Sequence, residues 1–253
     1  MKFEDLDTQM RQFETSIDQW LLPETWVVAR LDGRGFTRLT KETLELKRPF
    51  DEQFRDAMIT TVKHLVGCGF KVTYAYTQSD EISLLFPPDE HGFGRKVRKI
   101  NSVLAGEASA AFTHSLQAVA AFDCRLCPLP NEKRVIDYFR WRAEDAHRNS
   151  LNACLYWTLR EQGKGKKEAT ATLNGLSVAE KNELLFQAGI NYNDLPAWQK
   201  RGIGCWRQSV EKVGYNPKTG EQVSTVRQEW QVEMDLPKDH AYSDFLGQLI
   251  QVA

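Results

Sequence analysis

Apolar residues return every three or four positions from the start of the chain: Leu6, Met10, Phe13, Ile17 and Trp20. The spacing predicts an amphipathic helix over 5–21, ended by Pro23. The short valine-rich run Val27 to Leu31 predicts a buried strand with Asp32 at its C-terminal end. A second helical stripe, Phe50, Phe54, Met58, Val62 and Leu65, is closed by Gly67 and Gly69. Phe70 to Tyr76 and Glu81 to Phe86 then alternate with period two, predicting a β-hairpin with Asp80 and Glu81 at or just past its turn. A helix over 93–117 follows, and Ala118 to Phe122 is a fourth strand that stops before Pro128 and Pro130.

After the first helix the order is strand, helix, strand, strand, helix, strand. This is the split βαβ, ferredoxin-like arrangement, an α/β fold on an antiparallel sheet with the first and third strands as central neighbours. The remainder reads as an extension. It has a long helix over 132–161, a lysine-rich loop from Lys164 to Lys167, and shorter helices over 168–173 and 177–188. Ser177 with Glu180 makes a capping box at the second of these. Two alternating runs beyond Cys205 flank the turn Asn216 to Glu221, and a terminal helix follows Pro237. The division is a catalytic unit over 1–130 and a helical and hairpin extension over 131–253, packed on it as one continuous unit.

The topology sets Asp32 against Asp80. Two carboxylates converging on one sheet edge can hold two divalent cations, in comparable sites ~3.5–4 Å apart, for in-line attack on phosphorus. Gly33 and Gly35 free the backbone after Asp32 to adopt positive φ and to approach a ligand closely. By itself Asp-Gly after a strand is an ordinary turn, so the second acid carries the argument. The fold-level analogy is to polymerase palms and nucleotide cyclases. Glu81 points opposite to Asp80 in a strand and reads equally as a solvent-facing or salt-bridged group or as a catalytic one. Asp123, at the end of the fourth strand, reads as a cap or ion pair.

Composition narrows the class. The 253 residues are 42% apolar and 26% charged, the profile of a globular protein, and no apolar run approaches the ~18 residues of a membrane span. The acidic, polar N-terminus is no signal peptide, and five scattered cysteines fit a reducing cytoplasm. Cys124 and Cys127 have no partner pair at zinc spacing and read as structural thiols. Net charge is −1, so any nucleic-acid surface must be local. Arg95, Lys96, Arg98 and Lys99 read as the outer face of a helix and, with Arg140, Arg142, Arg148, Lys164, Lys166 and Lys167, supply such a surface. Trp198, Trp206 and Trp230 read as core or interface, and the long hairpin as an oligomer arm or a simple edge hairpin.

Four blocks occur together in one order: Arg30-Leu31-Asp32-Gly33-Arg34-Gly35-Phe36; Gln78-Ser79-Asp80-Glu81; Asp137-Tyr138 through Trp141-Arg142 to His147; and Lys181 to Phe186 with Ile190-Asn191-Tyr192-Asn193. Their sequence resembles that of the tRNA-His guanylyltransferase family of 3′–5′ polymerases, including its bacterial and archaeal tRNA-repair members. The resemblance implies a palm-like domain holding two Mg²⁺ ions through Asp32, Asp80 and the carbonyl of Gly33. It implies a nucleoside triphosphate on Asp32, Gly33, Arg34, Gly35, Phe36 and Thr37, with Ser79 and Asp80 nearby and Lys47 at the triphosphate. His147, Asn149 and Lys181 are implied at the tRNA or its activated 5′ end. Partners implied are tRNA, ATP and GTP or another nucleoside triphosphate, with no membrane, in a homotetramer.

The pattern departs from the guanylyltransferase branch in two places. That branch usually has histidine after the phenylalanine of the first block, where this chain has Thr37; in the long helix it reads His-Ile-Asn-Asn-Leu-Tyr-Asn, where this chain reads His147-Arg148-Asn149-Ser150-Leu151-Asn152-Ala153. The sequence therefore favours the template-directed repair of tRNA 5′ ends, with guanosine addition to tRNA-His as the alternative. A nucleotide cyclase and a non-catalytic tRNA-binding protein are more distant readings.

Overall fold

The computed structural model describes residues 1–215, 220 and 222–251. Six strands form one antiparallel sheet: β1 (Trp26–Arg34), β2 (Tyr74–Gln78), β3 (Glu81–Phe86), β4 (Ala121–Leu129), β5 (Ile203–Tyr215) and β6 (Gln222–Glu233). Their spatial order is β4-β1-β3-β2-β5-β6. The first four reproduce the expected split βαβ order, and the C-terminal hairpin widens the same sheet by pairing β5 with β2. The turn expected at 216–221 lies, apart from Gly220, outside the described residues.

Period-two alternation decides which face each strand residue covers. Val27, Ala29 and Leu31 of β1 and Ile82, Leu84 and Phe86 of β3 join the core under α3 (Glu52–Leu65) and α4 (Val97–Leu116). Val28, Leu85, Tyr74 and Tyr76 turn to the opposite face, under α5 (Glu132–Glu161) and α8 (Asp239–Gln251). The distal half of α5 continues past the sheet. There it gathers α6 (Lys166–Leu173) and α7 (Val178–Gln187) around Leu151, Leu155, Leu159 and Leu185. The capping box at Ser177 is present, each partner satisfying the other's backbone N–H. No described helix is long and apolar enough to cross a membrane.

Several boundaries differ from the sequence reading, each for a physical reason. Helix α1 runs only Phe3–Thr15, and its apolar stripe buries nothing within the chain; Phe13 and Ile17 are 73% and 85% exposed. The segment after it is pinned instead by polar contacts, Asp18 pairing with Lys96 and Arg98 and Trp20 bridging to Lys96. The basic run is thus partly consumed in structure rather than forming an outer face. Arg95 is buried and donates to carbonyls of Pro88, Glu90 and Thr25. Strand β1 extends through Arg34, so Asp32 sits inside it rather than at its end. Strand β2 begins at Tyr74 rather than Phe70, and a short 3-10 turn (Gly92–Arg95) precedes α4. Strand β4 is shifted to Ala121–Leu129 and includes Pro128, which an edge strand tolerates because one side of its ladder is unpaired. Cys124 and Cys127 fall on opposite faces of that strand and pack in separate cores.

Candidate active site

The site is built where β1 passes the β2–β3 hairpin. Asp32 is the last β1 residue registered with β3, opposite Glu81, and its other neighbour is Asp123 of β4. Ser79 and Asp80 form the hairpin turn, Ser79 with φ +50. The Gly33 N–H donates to the Asp80 carbonyl at 3.0 Å, which fixes the strand end to the turn. Ser79 Oγ donates to Asp80 Oδ1 at 3.0 Å. Burial pushes the Asp80 carboxyl above the usual carboxylate range, its own backbone N–H and the Ser79 hydroxyl oppose this, and the charge of Asp32 adds to it. A cation there would relieve both burial and repulsion.

The glycines act differently from the expectation. Gly35 does take positive φ, +72, and caps a one-turn helix α2 (Phe36–Arg38) that runs into a wider turn over Leu39–Thr43. Gly33 does not. A Cβ there would lie 2.5 Å from the ring of Phe36. That ring is 2% exposed and packs on Phe54, Phe112 and Phe122. Glycine at 33 lets the phenylalanine seal the core directly beneath the acids.

Beside the turn lies a cavity of about 400 Å³. Phe36, Thr37, Lys47, Ser79, Asp80 and Asn149 line it, so six of the residues singled out from sequence meet in one place. Its floor is the loop 46–51, held by Asp51, which accepts the N–H groups of Phe54 and Lys47 at 2.9 Å each and so caps α3. Three of the five departing positions, Thr37, Ser150 and Ala153, also line this cavity. Sequence reasoning missed Lys41, Arg48, Arg55, Trp157 and Trp198 on its walls. Arg55 stacks on Trp198, 4.9 Å from the ring centroid, and pairs with Asp56 at 2.8 Å. Trp198 is therefore a cavity wall as well as a packing residue.

Other expected site residues lie elsewhere. Asp32, Gly33 and Arg34 are the last three residues of β1 and Gly35 follows it, and none of the four lines the cavity. Asp32 instead meets Arg125 of β4 at 3.5 Å, as does Asp123. His147 stands two residues before Asn149 on α5, which turns it away from the cavity. It packs edge-on to Tyr192 with centroids 5.4 Å apart. Burial lowers its pKa, Lys200 and Arg201 lower it further, Asp239 pulls the other way, and Lys238 adds a smaller lowering effect. Lys181 is in the first turn of α7 and does not line the cavity. Glu81 is buried and ion-paired, to Arg142 and Arg30. Arg142, counted from sequence as part of a basic surface, is itself buried there.

The donor chemistry fits Mg²⁺. That ion takes oxygen ligands and is commonly held by one or two carboxylates, substrate phosphates and water rather than by an all-protein cage. Asp32, Asp80 and the Gly33 carbonyl are such a set, and the described residues contain no group of three or more His, Cys, Asp or Glu side chains converging on a metal position.

A split βαβ sheet of this order, with acids at its central strand and hairpin, belongs to the palm-like folds. Comparison with known proteins narrows the class. The family model described as tRNAHis guanylyltransferase matches residues 7–130, and that of the Thg1 C terminal domain matches residues 133–241. The chain belongs to the tRNA-His guanylyltransferase family and is a nucleotidyltransferase. It is 34% identical over 203 residues to a probable tRNA(His) guanylyltransferase of Drosophila melanogaster, covering 76% of this chain and 71% of that one. It is 34% identical over 212 residues to the tRNA(His) guanylyltransferase of Neurospora crassa, covering 78% and 71%. A bacterial tRNA(His) guanylyltransferase-like protein solved in complex with GTP superposes with a TM-score of 0.73 at 28% identity, covering 97% of this chain and 99% of that one.

Proposed function

We propose that this protein adds guanosine to the 5′ end of a tRNA, as the names of its relatives describe for tRNA-His. The observation that carries the reading is the cavity in which Asp80 faces Lys41, Lys47 and Arg48: one hard oxygen ligand beside clustered cations suits a metal-bound triphosphate. Templated repair of 5′ ends is the second reading, favoured because Thr37, Ser150 and Ala153 all line that cavity and change the surface that an incoming nucleotide would meet.

In the reaction we propose, a 5′-monophosphate oxygen of tRNA attacks the α-phosphorus of ATP and pyrophosphate leaves. The 3′-hydroxyl of the incoming nucleotide then attacks the activated 5′ phosphorus and AMP leaves. Lys47, Lys41 and Arg48 bind the triphosphate and compensate its charge. Asp32 and Asp80 would hold Mg²⁺, which when bound stabilises negative charge on the phosphoryl oxygens. Ser79 and the Gly33 N–H keep Asp80 in place, and Asn149 lies on the cavity wall within the same chamber. The pocket thus supplies orientation and charge, the terms that dominate phosphoryl transfer.

The test is extension of a 5′-truncated tRNA carrying a labelled 5′ phosphate, with ATP, Mg²⁺ and each nucleoside triphosphate in turn. Guanosine added whatever base lies opposite, chiefly to tRNA-His, supports the first reading. Addition that follows the opposing base transfers the assignment to repair. Binding without any extension overturns both.

A further inference from the structure

The sheet face that carries α5 is open at one corner, where β4 and β1 run past the acids. Register places like charges opposite each other there. Asp32 faces Asp123 across the β1–β4 ladder, and two residues earlier on β1 Arg30 faces Arg125. Like charges directly opposite on neighbouring strands destabilise a sheet, so each needs a partner from elsewhere. Arg30 has the buried Glu81. Among the described residues Arg125 has only Asp32 and Asp123, each at 3.5 Å, and its side chain is 58% exposed. Exposed pairs of this kind contribute little. Asp32 is also the carboxylate that Mg²⁺ would claim, which leaves the Arg125 guanidinium for an anion.

Trp141 of α5 stands beside the same corner. Among the described residues it joins none of the apolar cores, and it is 52% exposed. The Arg142 guanidinium lies 4.6 Å from its ring centroid and that of Arg30 5.9 Å, while Tyr138 meets it edge-on at 5.7 Å. Both arginines are tied to Glu81, so they reach the indole from the sheet side and fix its orientation. The rest of the ring faces solvent. Neither Trp141 nor Arg125 lines the nucleotide cavity. The acids stand between the two places: Asp80 faces the cavity and Asp32 meets Arg125 at the corner.

We infer that Trp141 and Arg125 seat the unpaired 3′ end of the RNA whose 5′ end is extended, the indole stacking on a base and the guanidinium taking a backbone phosphate. A fixed, open aromatic ring beside an arginine is the chemistry of single-stranded nucleic acid, because a duplex keeps its bases stacked inside. That the RNA is a tRNA rests on the proposed function. There the 5′ end must meet the nucleotide held in the cavity, so the strand left for the corner is the 3′ one, which in a tRNA continues unpaired beside the 5′ end.

The experiment is a binding titration of the full chain with labelled tRNA, complete or trimmed of its unpaired 3′ nucleotides, at several salt concentrations and without nucleoside triphosphate. The parent is expected to bind complete tRNA about tenfold more tightly than trimmed tRNA. Trp141→Leu is expected to bind the two alike, and Trp141→Phe, which keeps a π face, to stay within about threefold of the parent. Arg125→Gln is expected to weaken binding of complete tRNA, to leave trimmed tRNA unchanged, and to reduce the salt slope by about one phosphate contact. Arg125 is exposed on an edge strand, so its variant remains informative should Trp141→Leu fail to fold. A full 3′-end effect in both Trp141→Leu and Arg125→Gln overturns the seat, and equal losses in the leucine and phenylalanine variants overturn stacking. If Arg125→Gln instead abolishes a preference for 5′-phosphate over 5′-hydroxyl RNA, or weakens inorganic tripolyphosphate, the guanidinium serves the 5′ end or the nucleotide and the assignment falls. Parent protein that shows the 3′-end effects but extends no tRNA keeps the seat and refutes the proposed function. Active protein indifferent to the 3′ end does the reverse.

Discussion

Arg142 grips Glu81 with two parallel hydrogen bonds, Nε to Oε1 and Nη2 to Oε2, each 2.7 Å long. Their side chains are 3% and 5% exposed, and Arg30 Nη2 reaches Glu81 Oε2 at 2.5 Å. Glu81 follows Asp80 directly in the chain, so the pair clamps the hairpin turn to α5. The clamp extends along the helix, where Asp145 accepts from Arg142 at 3.1 Å, from Arg148 at 2.5 Å and from Asn149 at 3.2 Å. Asn149 is on the cavity wall. One network therefore connects the proposed metal acid to the α5 wall of the cavity.

Removing one partner of such a buried pair leaves an uncompensated charge. Arg142→Ala is expected to lower stability by roughly 3–5 kcal/mol, measured by urea denaturation. Replacing both members, Glu81→Leu with Arg142→Met, is expected to cost less than the sum of the single changes, because neither member of the pair is left buried without the other and the charges that lose a contact, Arg30 and Asp145, are partly exposed. Strict additivity in that cycle would show that the clamp is not acting as a unit.

The strand end can be tested without touching a charge. The Cβ of Gly33→Ala would collide with the immobile ring of Phe36, so the ring or the strand must shift. The expected loss is roughly 1–3 kcal/mol, the usual range for overpacking. Because the Gly33 N–H also holds the Asp80 carbonyl, transfer activity is expected to fall about a hundredfold, the scale of a small misplacement at a reacting centre. Thermal unfolding and single-turnover rates check the two halves separately. A variant that is destabilised yet fully active would disconnect Gly33 from the site.

These contacts explain what the sequence could and could not reveal. Asp32 and Asp80 were legible because a period-two strand and a hairpin turn constrain both backbones, and the split βαβ order alone makes their strands neighbours. Glu81 was legible only as an alternative, since alternation says which face it takes but not that Arg142, 61 positions later, waits there. Trp157 and Arg48 come from a helix and an irregular loop more than a hundred residues apart, and no periodicity signals that they meet. The stripe of α1 gave the opposite error: its spacing predicts a helix correctly and cannot say whether the chain itself provides a cover. The Arg95–Lys99 run looked like a solvated face because charge is read from composition, while its partners Asp18 and Thr25 come from a distant segment.

Asp80→Asn separates metal chemistry from phosphate binding. The substitution keeps the shape of the turn and removes the charge that a cation would meet. Mg²⁺-dependent transfer is expected to fall about a thousandfold, an increase of roughly 4 kcal/mol in the barrier. Binding of tripolyphosphate in Mg²⁺-free buffer is expected to hold or improve, because a carboxylate among phosphates repels them. Weaker binding in that buffer would mean that Asp80 supports the pocket rather than a metal.

His147 predicts a pH dependence of known sign. Burial, with Lys200, Arg201 and Lys238 close by, holds its folded pKa below the ordinary 6.5. Over the interval from 6.5 down to that depressed value the unfolded chain binds a proton that the folded chain refuses. Stability contributed by the neutral imidazole is therefore complete above 6.5 and is lost as pH falls through the interval. His147→Gln has no such proton to take up, so its urea midpoint is expected to fall less steeply than that of the parent from pH 7 to pH 5. The same cations attract phosphate, and a tRNA 5′ end bound beside His147 would add negative charge and raise the imidazole pKa. Titration of the His147 ring by NMR, with and without tRNA, is expected to show an upward shift on binding. A ring that titrates identically in both states would place the 5′ end elsewhere and leave His147 as a packing partner of Tyr192.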